Sequence, residues 1–140
     1  MPDCIFCKIA KGEVPCHKVY EDQAVMAFLD LSQVTPGHTL VIPKAHHETF
    51  LSVPKSLMHH VFDVAQRVGQ IQISELLARG VNILTNCYPV AGQSIPHFHV
   101  HVIPRYAPGD GLRITMIDSS ADAKLNMPVL ADKLSRKLHE

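Results

Sequence analysis

His97-Phe98-His99-Val100-His101-Val102-Ile103 alternates histidine with apolar residues, and the rest of the chain can be organised around this stretch. Because the histidines recur at every second residue, the pattern predicts a β-strand rather than a helix. All three imidazoles then share one face, which we expect to lie toward solvent or a cleft, while the apolar residues point into the core. With a rise of about 3.3 Å per residue, neighbouring imidazoles are anchored about 6.6 Å apart and the outer two about 13 Å apart. One metal ion could therefore hold two of them but hardly three.

The composition indicates a single globular domain over residues 1–140. Of the 140 residues, 46% are hydrophobic and 19% are charged, which is enough to bury one core. Thirteen basic residues balance thirteen acidic ones, and no long run of either sign occurs. The chain therefore lacks the electrostatic footprint of a protein that binds nucleic acid or an anionic membrane. An anionic ligand must be small and held locally.

The N-terminus and the cysteines favour a cytoplasmic protein. No basic segment followed by an apolar run opens the chain, and no stretch approaches the roughly 18 consecutive apolar residues of a membrane span. In a reducing compartment, cysteines are thiols or metal ligands rather than parts of a disulfide framework. The four cysteines are Cys4, Cys7, Cys16 and Cys87.

Hydrophobic periodicity and turn residues predict the order of strands and helices. The predicted strands cover residues 19–21, 25–30, 39–43, 81–86 and 97–103. The predicted helices are a short one closed by Gly12, a main one from about Pro54 to Ala78, and a short amphipathic one near the C-terminus, marked by Leu130, Leu134 and Leu138.

The histidine row permits more than one chemistry. A neutral imidazole can act as a nucleophile near pH 7, because its pKa is about 6.5. The loop Gly92-Gln93-Ser94 lies just upstream and could hydrogen-bond a phosphate, which makes phosphorus a candidate electrophile for His99. Alternatively the row binds a metal ion, or its histidines are merely exposed on a polar strand face.

Two further features have open interpretations from the residues alone. Cys4-Ile5-Phe6-Cys7 is a Cys-x-x-Cys pair, which fits a redox dithiol or, with two more ligands, half of a zinc site. The additional ligands could come from the histidine row and from His46-His47, just past the end of the third strand. Asp30 closes the second strand, and its local pattern favours a turn carboxylate.

The histidine stretch is similar to the His-φ-His-φ-His-φ-φ pattern of the histidine triad (HIT) nucleotide-binding proteins. Further segments resemble the Hint branch of that family, in order and at matching spacing, over residues 3 to about 107. Residues 108–140 form a C-terminal extension that carries little family information. The matching segments are Ile5-Phe6-Cys7-Lys8-Ile9, Glu13-Val14-Pro15, Tyr20-Glu21-Asp22, Ala27-Phe28-Leu29-Asp30, His38-Thr39-Leu40-Val41-Ile42-Pro43-Lys44 and Ala91-Gly92-Gln93-Ser94.

The resemblance implies a fold and an activity. The fold is an α+β domain with a five-stranded antiparallel sheet, one main helix and a short C-terminal helix, whose sheet joins that of a second copy in a homodimer. The activity is hydrolysis of purine nucleoside phosphoramidates, or nucleotidyl transfer, through a phosphohistidine intermediate. His99 would be the nucleophile, His101 would orient it and bind phosphate, and Gln93 and Ser94 would contact phosphate oxygens or the leaving group.

The resemblance also implies a nucleotide pocket and a structural zinc site. Asp30 would bind the ribose hydroxyls, which replaces the interpretation as a turn carboxylate. Asn86 and Gly92 would lie on the phosphate side. The apolar wall would comprise Phe6, Phe28, Leu29, Leu31 and Leu40, and the zinc ligands would be Cys4, Cys7, His46 and His97.

The chain departs from the Hint pattern at two places. Cys87-Tyr88-Pro89-Val90 replaces a glycine-containing stretch, which affects the loop conformation and the choice of leaving group, and Pro96 directly before the triad is unusual. Two other functions stay open at this point. One is hydrolysis of dinucleoside polyphosphates, as in the Fhit branch, and the other is a non-catalytic nucleotide-binding or sensor module.

Overall fold

One antiparallel sheet and three helices make up the computed structural model, which describes residues 3–140. This α+β arrangement confirms the predicted five-stranded sheet, main helix and C-terminal helix. The strands are β1 (Lys18–Glu21), β2 (Val25–Leu29), β3 (Thr39–Pro43), β4 (Gly80–Leu84) and β5 (Val100–Arg105). The helices are α1 (Ile5–Ala10), α2 (Lys55–Glu75) and α3 (Met127–Leu138).

The sheet order is β1-β2-β3-β5-β4, so β5, the last strand in the sequence, lies between β3 and β4. The first three strands form a simple meander. Strand β5 then pairs with β3 on one side, with Leu40 opposite His101, and with β4 on the other, with Leu84 opposite the same histidine. His101 is thus flanked by backbone on both sides, which fixes its position.

Helix α2 covers one face of the sheet and α1 covers the other. The buried residues of α2 follow helical spacing and meet the valines of the central strands, whereas α1 packs Phe6 and Ile9 against the opposite face. Two-sided cover explains why β3 is buried at every position. The α2 residues in contact with the sheet are Val61, Val64, Ala65 and Val68.

The prediction of a strand over the whole histidine stretch is wrong for its first three residues. Strand β5 begins at Val100, and the chain bends before it, because Pro96 has no N–H to pair and the His97 N–H donates to the Ile95 carbonyl at 2.8 Å. His97 still lies on the α1 side of the sheet, where the ring of Phe6 contacts both His97 and His99, but its side chain is completely buried, at 0% exposure. The expectation that it faces solvent or a cleft is therefore also wrong.

The β1–β2 hairpin is tied to α2 through the carboxylate of Asp22. Its Oδ1 accepts the N–H groups of Ala24 and Val25, each at 2.8 Å, which closes the turn. Its Oδ2 accepts the hydroxyl of Tyr20 at 2.8 Å and Nε2 of His60 at 2.6 Å. His60 therefore joins the hairpin to the main helix.

The C-terminal extension is mostly exposed, and none of its residues is buried. Helix α3 begins at an Asn126 cap, whose side chain accepts the Val129 N–H, but contains no buried residue. Its leucines at positions 130, 134 and 138 are 47%, 67% and 83% exposed. Among residues 3–140, no helix combines the length and apolar character that crossing a bilayer requires.

Candidate active site

A cavity of about 370 Å³ lies between α1 and the sheet, and it collects most of the side chains that the sequence singled out. Its polar end holds Asp30, Ser94, His99 and His101. The apolar wall that the resemblance implies also lines it: Phe6, Phe28, Leu29, Leu31 and Leu40. The loop Val14-Pro15-Cys16 forms another part of the wall. Val14 and Pro15 belong to a segment that resembles the family, but no periodicity predicts that the loop lines a pocket.

His99 is held in one orientation by its own chain. Its Nδ1 lies 2.7 Å from the carbonyl oxygen of His97, so Nδ1 carries the hydrogen and donates it. Nε2 is then left with a free lone pair. The ring of Phe6 meets the imidazole edge to face, with centroids 5.1 Å apart, and prevents it from tilting.

The environment of His99 favours the neutral, nucleophilic imidazole. Burial lowers the pKa of His99, while the hydrogen bond to the His97 carbonyl and the negative charge of Asp30 oppose this shift without cancelling it. A neutral imidazole with a free Nε2 is a competent nucleophile near pH 7.

A second histidine, His38, fixes the orientation of His101. Nδ1 of His38 accepts the Val34 N–H at 3.4 Å, so Nε2 carries the hydrogen and donates it to Nδ1 of His101 at 2.9 Å. His101 is thereby left with Nε2–H as a donor. Asp30 lies beside the pair, with its Oδ2 3.6 Å from Nε2 of His38.

Burial keeps this histidine pair neutral. It lowers the pKa of His38, and it lowers the pKa of His101 to about 4 with help from the neighbouring His99 and His38. His38 precedes β3 and is only 3% exposed, and nothing in the local sequence predicts this contact. The contact between His38 and His101 could be expected only from the pairing of β3 with β5, which brings the start of β3 beside the histidine strand.

Gln93 supports the loop that carries Ser94 rather than lining the cavity. Its Nε2 donates to the carbonyls of Glu48 at 2.7 Å and Ile95 at 3.1 Å, and its Oε1 accepts the Tyr88 N–H at 2.8 Å. All its polar atoms are engaged with backbone, and the residue is 8% exposed. Its side chain is therefore not free for a phosphate in this conformation.

The loop between β4 and β5 closes around an unusual backbone conformation. Tyr88 has φ 76° and ψ 157°, a region occupied almost only by glycine. Its carbonyl accepts the N–H groups of Ala91 at 3.1 Å and Gln93 at 3.2 Å, and these bonds hold the conformation. Asn86 donates to the Gly92 carbonyl at 3.4 Å, so Asn86 and Gly92 also belong to this loop and lie outside the cavity lining.

Four side chains that the resemblance assigns to zinc lie together at the N-terminal end of α1. The Cys4 and Cys7 sulfurs lie 3.3 Å and 3.6 Å from Nδ1 of His97, and the Cys7 sulfur lies 3.3 Å from Nδ1 of His46. All four donor atoms are within 4.8 Å of one another. In a tetrahedral zinc site, sulfur and nitrogen ligands are about 3.5 Å apart, so this donor set fits zinc.

The neighbours of these ligands also suit a metal ion. Nε2 of His97 donates to the Pro43 carbonyl at 2.8 Å, which leaves Nδ1 unprotonated and directed at the sulfurs. Burial lowers the pKa of His97 to about 4 and raises the pKa of the Cys7 thiol. A cation would displace the thiol protons, and the neutral imidazole is ready to bind it.

A second cavity, of about 540 Å³, lies beside the first. The two share Ile5, Ser94 and Ile95, so they meet beside Ser94. The second cavity also reaches His46 of the cysteine–histidine cluster. A molecule bound with its reactive atom at His99 could therefore extend into it past Ser94.

A family model described as the HIT domain matches residues 11–108. The chain belongs to the HIT family. Protein hit of Bacillus subtilis is 49% identical over 109 residues, which span 78% of this chain and 75% of that protein. Adenylylsulfatase HINT3 of Arabidopsis thaliana is 38% identical over 103 residues, which span 74% of this chain and 52% of that protein.

Solved HIT structures share the fold described above. A HIT family protein from Bacillus anthracis superposes with a TM-score of 0.88 at 40% identity, covering 98% of this chain and 96% of that one. A zinc-bound histidine triad family protein from Mycobacterium smegmatis superposes with a TM-score of 0.76 at 32% identity, covering 96% and 98%. A histidine triad nucleotide-binding protein from Candida albicans gives 0.85 at 30% identity, covering 98% of each chain.

Proposed function

We propose that this HIT protein hydrolyses purine nucleoside 5′-phosphoramidates, and transfers the nucleotidyl group, through a covalent intermediate on His99. The observation that carries the proposal is the arrangement within one cavity. The free Nε2 of His99 lies at the same end as the donor His101, and Asp30 offers a carboxylate to a ribose while the apolar wall offers a surface to a base.

In the first step, the lone pair of His99 Nε2 attacks phosphorus and the P–N bond breaks. The leaving nitrogen takes both bonding electrons and a proton from water, and departs as an amine. The phosphorylated ring carries positive charge, which the His97 carbonyl stabilises because it accepts the Nδ1–H at 2.7 Å. The Nε2–H of His101 serves as a donor to a phosphate oxygen.

In the second step, water attacks the same phosphorus. The bond from phosphorus to His99 Nε2 breaks, its electron pair returns to the ring, and the nucleoside monophosphate leaves. Water loses a proton to solvent, and the imidazole is again neutral. Attack by an alcohol or amine in place of water would give nucleotidyl transfer.

The deciding experiment compares the unmodified protein with His99→Ala. Turnover of an adenosine 5′-phosphoramidate should fall by at least 1000-fold, while AMP, which needs only the cavity, should still bind. Rapid mixing of the unmodified protein with excess substrate should give a burst of nucleotidylated protein. Unchanged turnover in His99→Ala would refute the mechanism, and AMP binding without turnover or burst would identify a sensor module.

The competing hydrolase activities are separated by substrate. We expect higher kcat/KM on an adenosine phosphoramidate than on diadenosine triphosphate or adenylylsulfate, the latter suggested by the name of the Arabidopsis relative. Faster cleavage of diadenosine triphosphate would favour the dinucleoside polyphosphate reaction instead.

The proposal includes a structural zinc ion. Cys4, Cys7, His46 and His97 would hold it, and it would fasten α1, with Phe6 as a wall of the cavity, to the segment that carries His99. Elemental analysis of protein purified without chelator should find about one equivalent of zinc, and Cys7→Ser should lower this value. Less than about one tenth of an equivalent would contradict the site.

The active form is proposed to be a cytoplasmic homodimer joined along β4. That strand is an edge of the sheet, and beside it runs an apolar groove of about 390 Å³ between α2 and β4. Ile83 in this groove is 49% exposed. Pairing of two such edges would extend the sheet and bury the groove. The free cysteines of the described chain suit a reducing compartment.

A further inference from the structure

A second group of metal-ligating side chains lies at the first cavity, apart from the cysteine–histidine cluster. It consists of Asp30, His38 and His101, and one donor atom from each lies within 4.8 Å of the other two. His38 is buried, whereas Asp30 and His101 are half-buried and line the cavity. The donor atoms are therefore close together and open to the cavity on one side.

The carboxylate of Asp30 has one oxygen to spare. Its Oδ1 accepts the Ser32 N–H at 2.8 Å, which fixes the side chain. Its Oδ2 lies 3.6 Å from Nε2 of His38, which is too long for a hydrogen bond. In a tetrahedral metal site, carboxylate oxygen and imidazole nitrogen ligands are about 3.3–3.5 Å apart. The spacing of these two atoms therefore fits two ligands of the same ion.

The two imidazoles can supply the other ligands after one hydrogen moves. Nε2 of His38 lies 2.9 Å from Nδ1 of His101, with a hydrogen between them, and a metal ion would part the two nitrogens by about 0.5 Å. His38 can carry its hydrogen on Nδ1 instead, because the Ser32 carbonyl beside the ring is a hydrogen-bond acceptor. Only the long Val34 N–H bond of 3.4 Å is given up. The ring stays neutral and no proton has to leave the site.

We infer that Asp30, His38 and His101 bind a divalent transition-metal ion such as Zn²⁺, Co²⁺ or Ni²⁺, and that this ion competes with the nucleotide for the cavity. Two imidazoles with one carboxylate suit these ions, whereas Mg²⁺ and Ca²⁺ prefer sets of oxygen ligands. The metal binding depends on no activity of the protein. The competition rests on the proposed function, which assigns Asp30 to the ribose and His101 to the phosphate.

The ion would also act on the nucleophile. The ring centroids of His99 and His101 are 5.0 Å apart, so a dication held by His101 lies close to His99. In the proposed reaction His99 becomes positively charged when it takes the phosphoryl group, and a neighbouring cation opposes this charge. Bound metal should therefore slow turnover as well as weaken nucleotide binding.

The test is a titration with Co²⁺ of protein purified in the presence of zinc, so that the cysteine–histidine cluster is filled. Cobalt bound by nitrogen and oxygen absorbs in the visible region, whereas thiolate ligands add an intense charge-transfer band in the near ultraviolet. We expect one equivalent of Co²⁺ to give the visible band without the charge-transfer band. A tenfold excess of Mg²⁺ should not displace it.

Three variants locate the bound cobalt. His38→Gln and Asp30→Asn should each raise the Kd for Co²⁺ at least tenfold, because each removes one of three ligands. The matched control His59→Gln, which changes an exposed histidine on α2, should leave this Kd unchanged. AMP at ten times its own Kd should raise the apparent Kd for Co²⁺ about tenfold. Asp30→Asn changes a half-buried side chain, so it decides the question if circular dichroism shows that His38→Gln does not fold.

The outcomes separate this inference from the proposed function. Cobalt binding that Asp30→Asn weakens supports the metal site even if no phosphoramidate is cleaved. A missing visible band, displacement by Mg²⁺, or equal weakening by His59→Gln and Asp30→Asn would overturn the site in a protein that is still an active hydrolase. If AMP leaves cobalt binding unchanged or strengthens it, the competition is wrong.

Discussion

Replacing Tyr88 by glycine and, separately, by alanine isolates the backbone strain in the loop that carries Ser94. Both changes remove the same aromatic ring, so its lost contacts cancel when the two variants are compared. They differ only in the Cβ atom, which is what makes φ 76° and ψ 157° unfavourable for an L residue.

Backbone strain and backbone entropy act in opposite directions on the stability difference between the glycine and alanine variants. Strain in such a region costs roughly 1–3 kcal/mol, and glycine removes it. Glycine in turn costs about 0.5–1 kcal/mol relative to alanine, because it loses more backbone entropy on folding. The glycine variant should therefore be the more stable by about 1 kcal/mol, the reverse of the usual order.

Urea denaturation at equilibrium, followed by circular dichroism, measures both free energies of unfolding. A matched pair at Val90, which is fully exposed in the same loop at normal φ, supplies the control, and there alanine should be the more stable. If Tyr88→Ala equals or exceeds Tyr88→Gly in stability, the loop does not hold this conformation and the argument for strain is wrong.

Three further predictions concern other parts of the molecule. Burial lowers the pKa of His101 to about 4, whereas in the unfolded chain it is about 6.5. Between these two values His101 is protonated in the unfolded chain but not in the folded one, so the free energy of unfolding decreases as the pH is lowered. At pH 5 the decrease relative to neutral pH is about 2 kcal/mol. His101→Gln should reduce, but not abolish, the pH dependence of the unfolding free energy between pH 4 and 6.5, because burial also lowers the pKa values of His38, His97 and His99. An unaltered slope would contradict the assignment. His60→Ala should cost about 1 kcal/mol in urea denaturation, because it removes the 2.6 Å bond to the hairpin carboxylate, whereas its exposed neighbour His59→Ala should cost less than about 0.5 kcal/mol. If the proposed β4 dimer forms, Ile83→Lys should convert it to monomers in analytical ultracentrifugation, and Val19→Lys on the opposite edge strand should not. The reverse result would move the interface to β1, and an unmodified protein that is monomeric would contradict the dimer itself.

Regular elements could be predicted from the sequence because their patterns are local. Strand β3 has the bounds that its apolar run predicts, and α2 ends within three residues of the prediction, because repeated apolar residues need only their neighbours to reveal a face. The histidine stretch shows the limit of this reasoning. Its period of two continues through His97, but Pro96 and the cysteines 90 or more residues away determine where that side chain lies.

The arrangement of the candidate site was less accessible to sequence reasoning. The Cys-x-x-Cys pair indicated half of a metal site, while its pairing with His46 and His97 rested on the family resemblance. His38 carries no local signal, since its partner His101 lies 63 positions further along the chain. Gln93 was expected to face the phosphate, and the structure engages its amide with Glu48 and Ile95, which only the folded loop reveals.

The position of β5 between β3 and β4 has a consequence during synthesis of the protein. Until Val100–Arg105 leaves the ribosome, β3 and β4 each carry an unpaired edge, and apolar side chains of α2 lack part of their partner surface. The same six residues that close the sheet include His101 and directly follow His99. A nascent chain that ends before residue 100 therefore exposes strand edges and apolar surface, and the insertion of this one strand both covers them and completes the pair of His99 and His101.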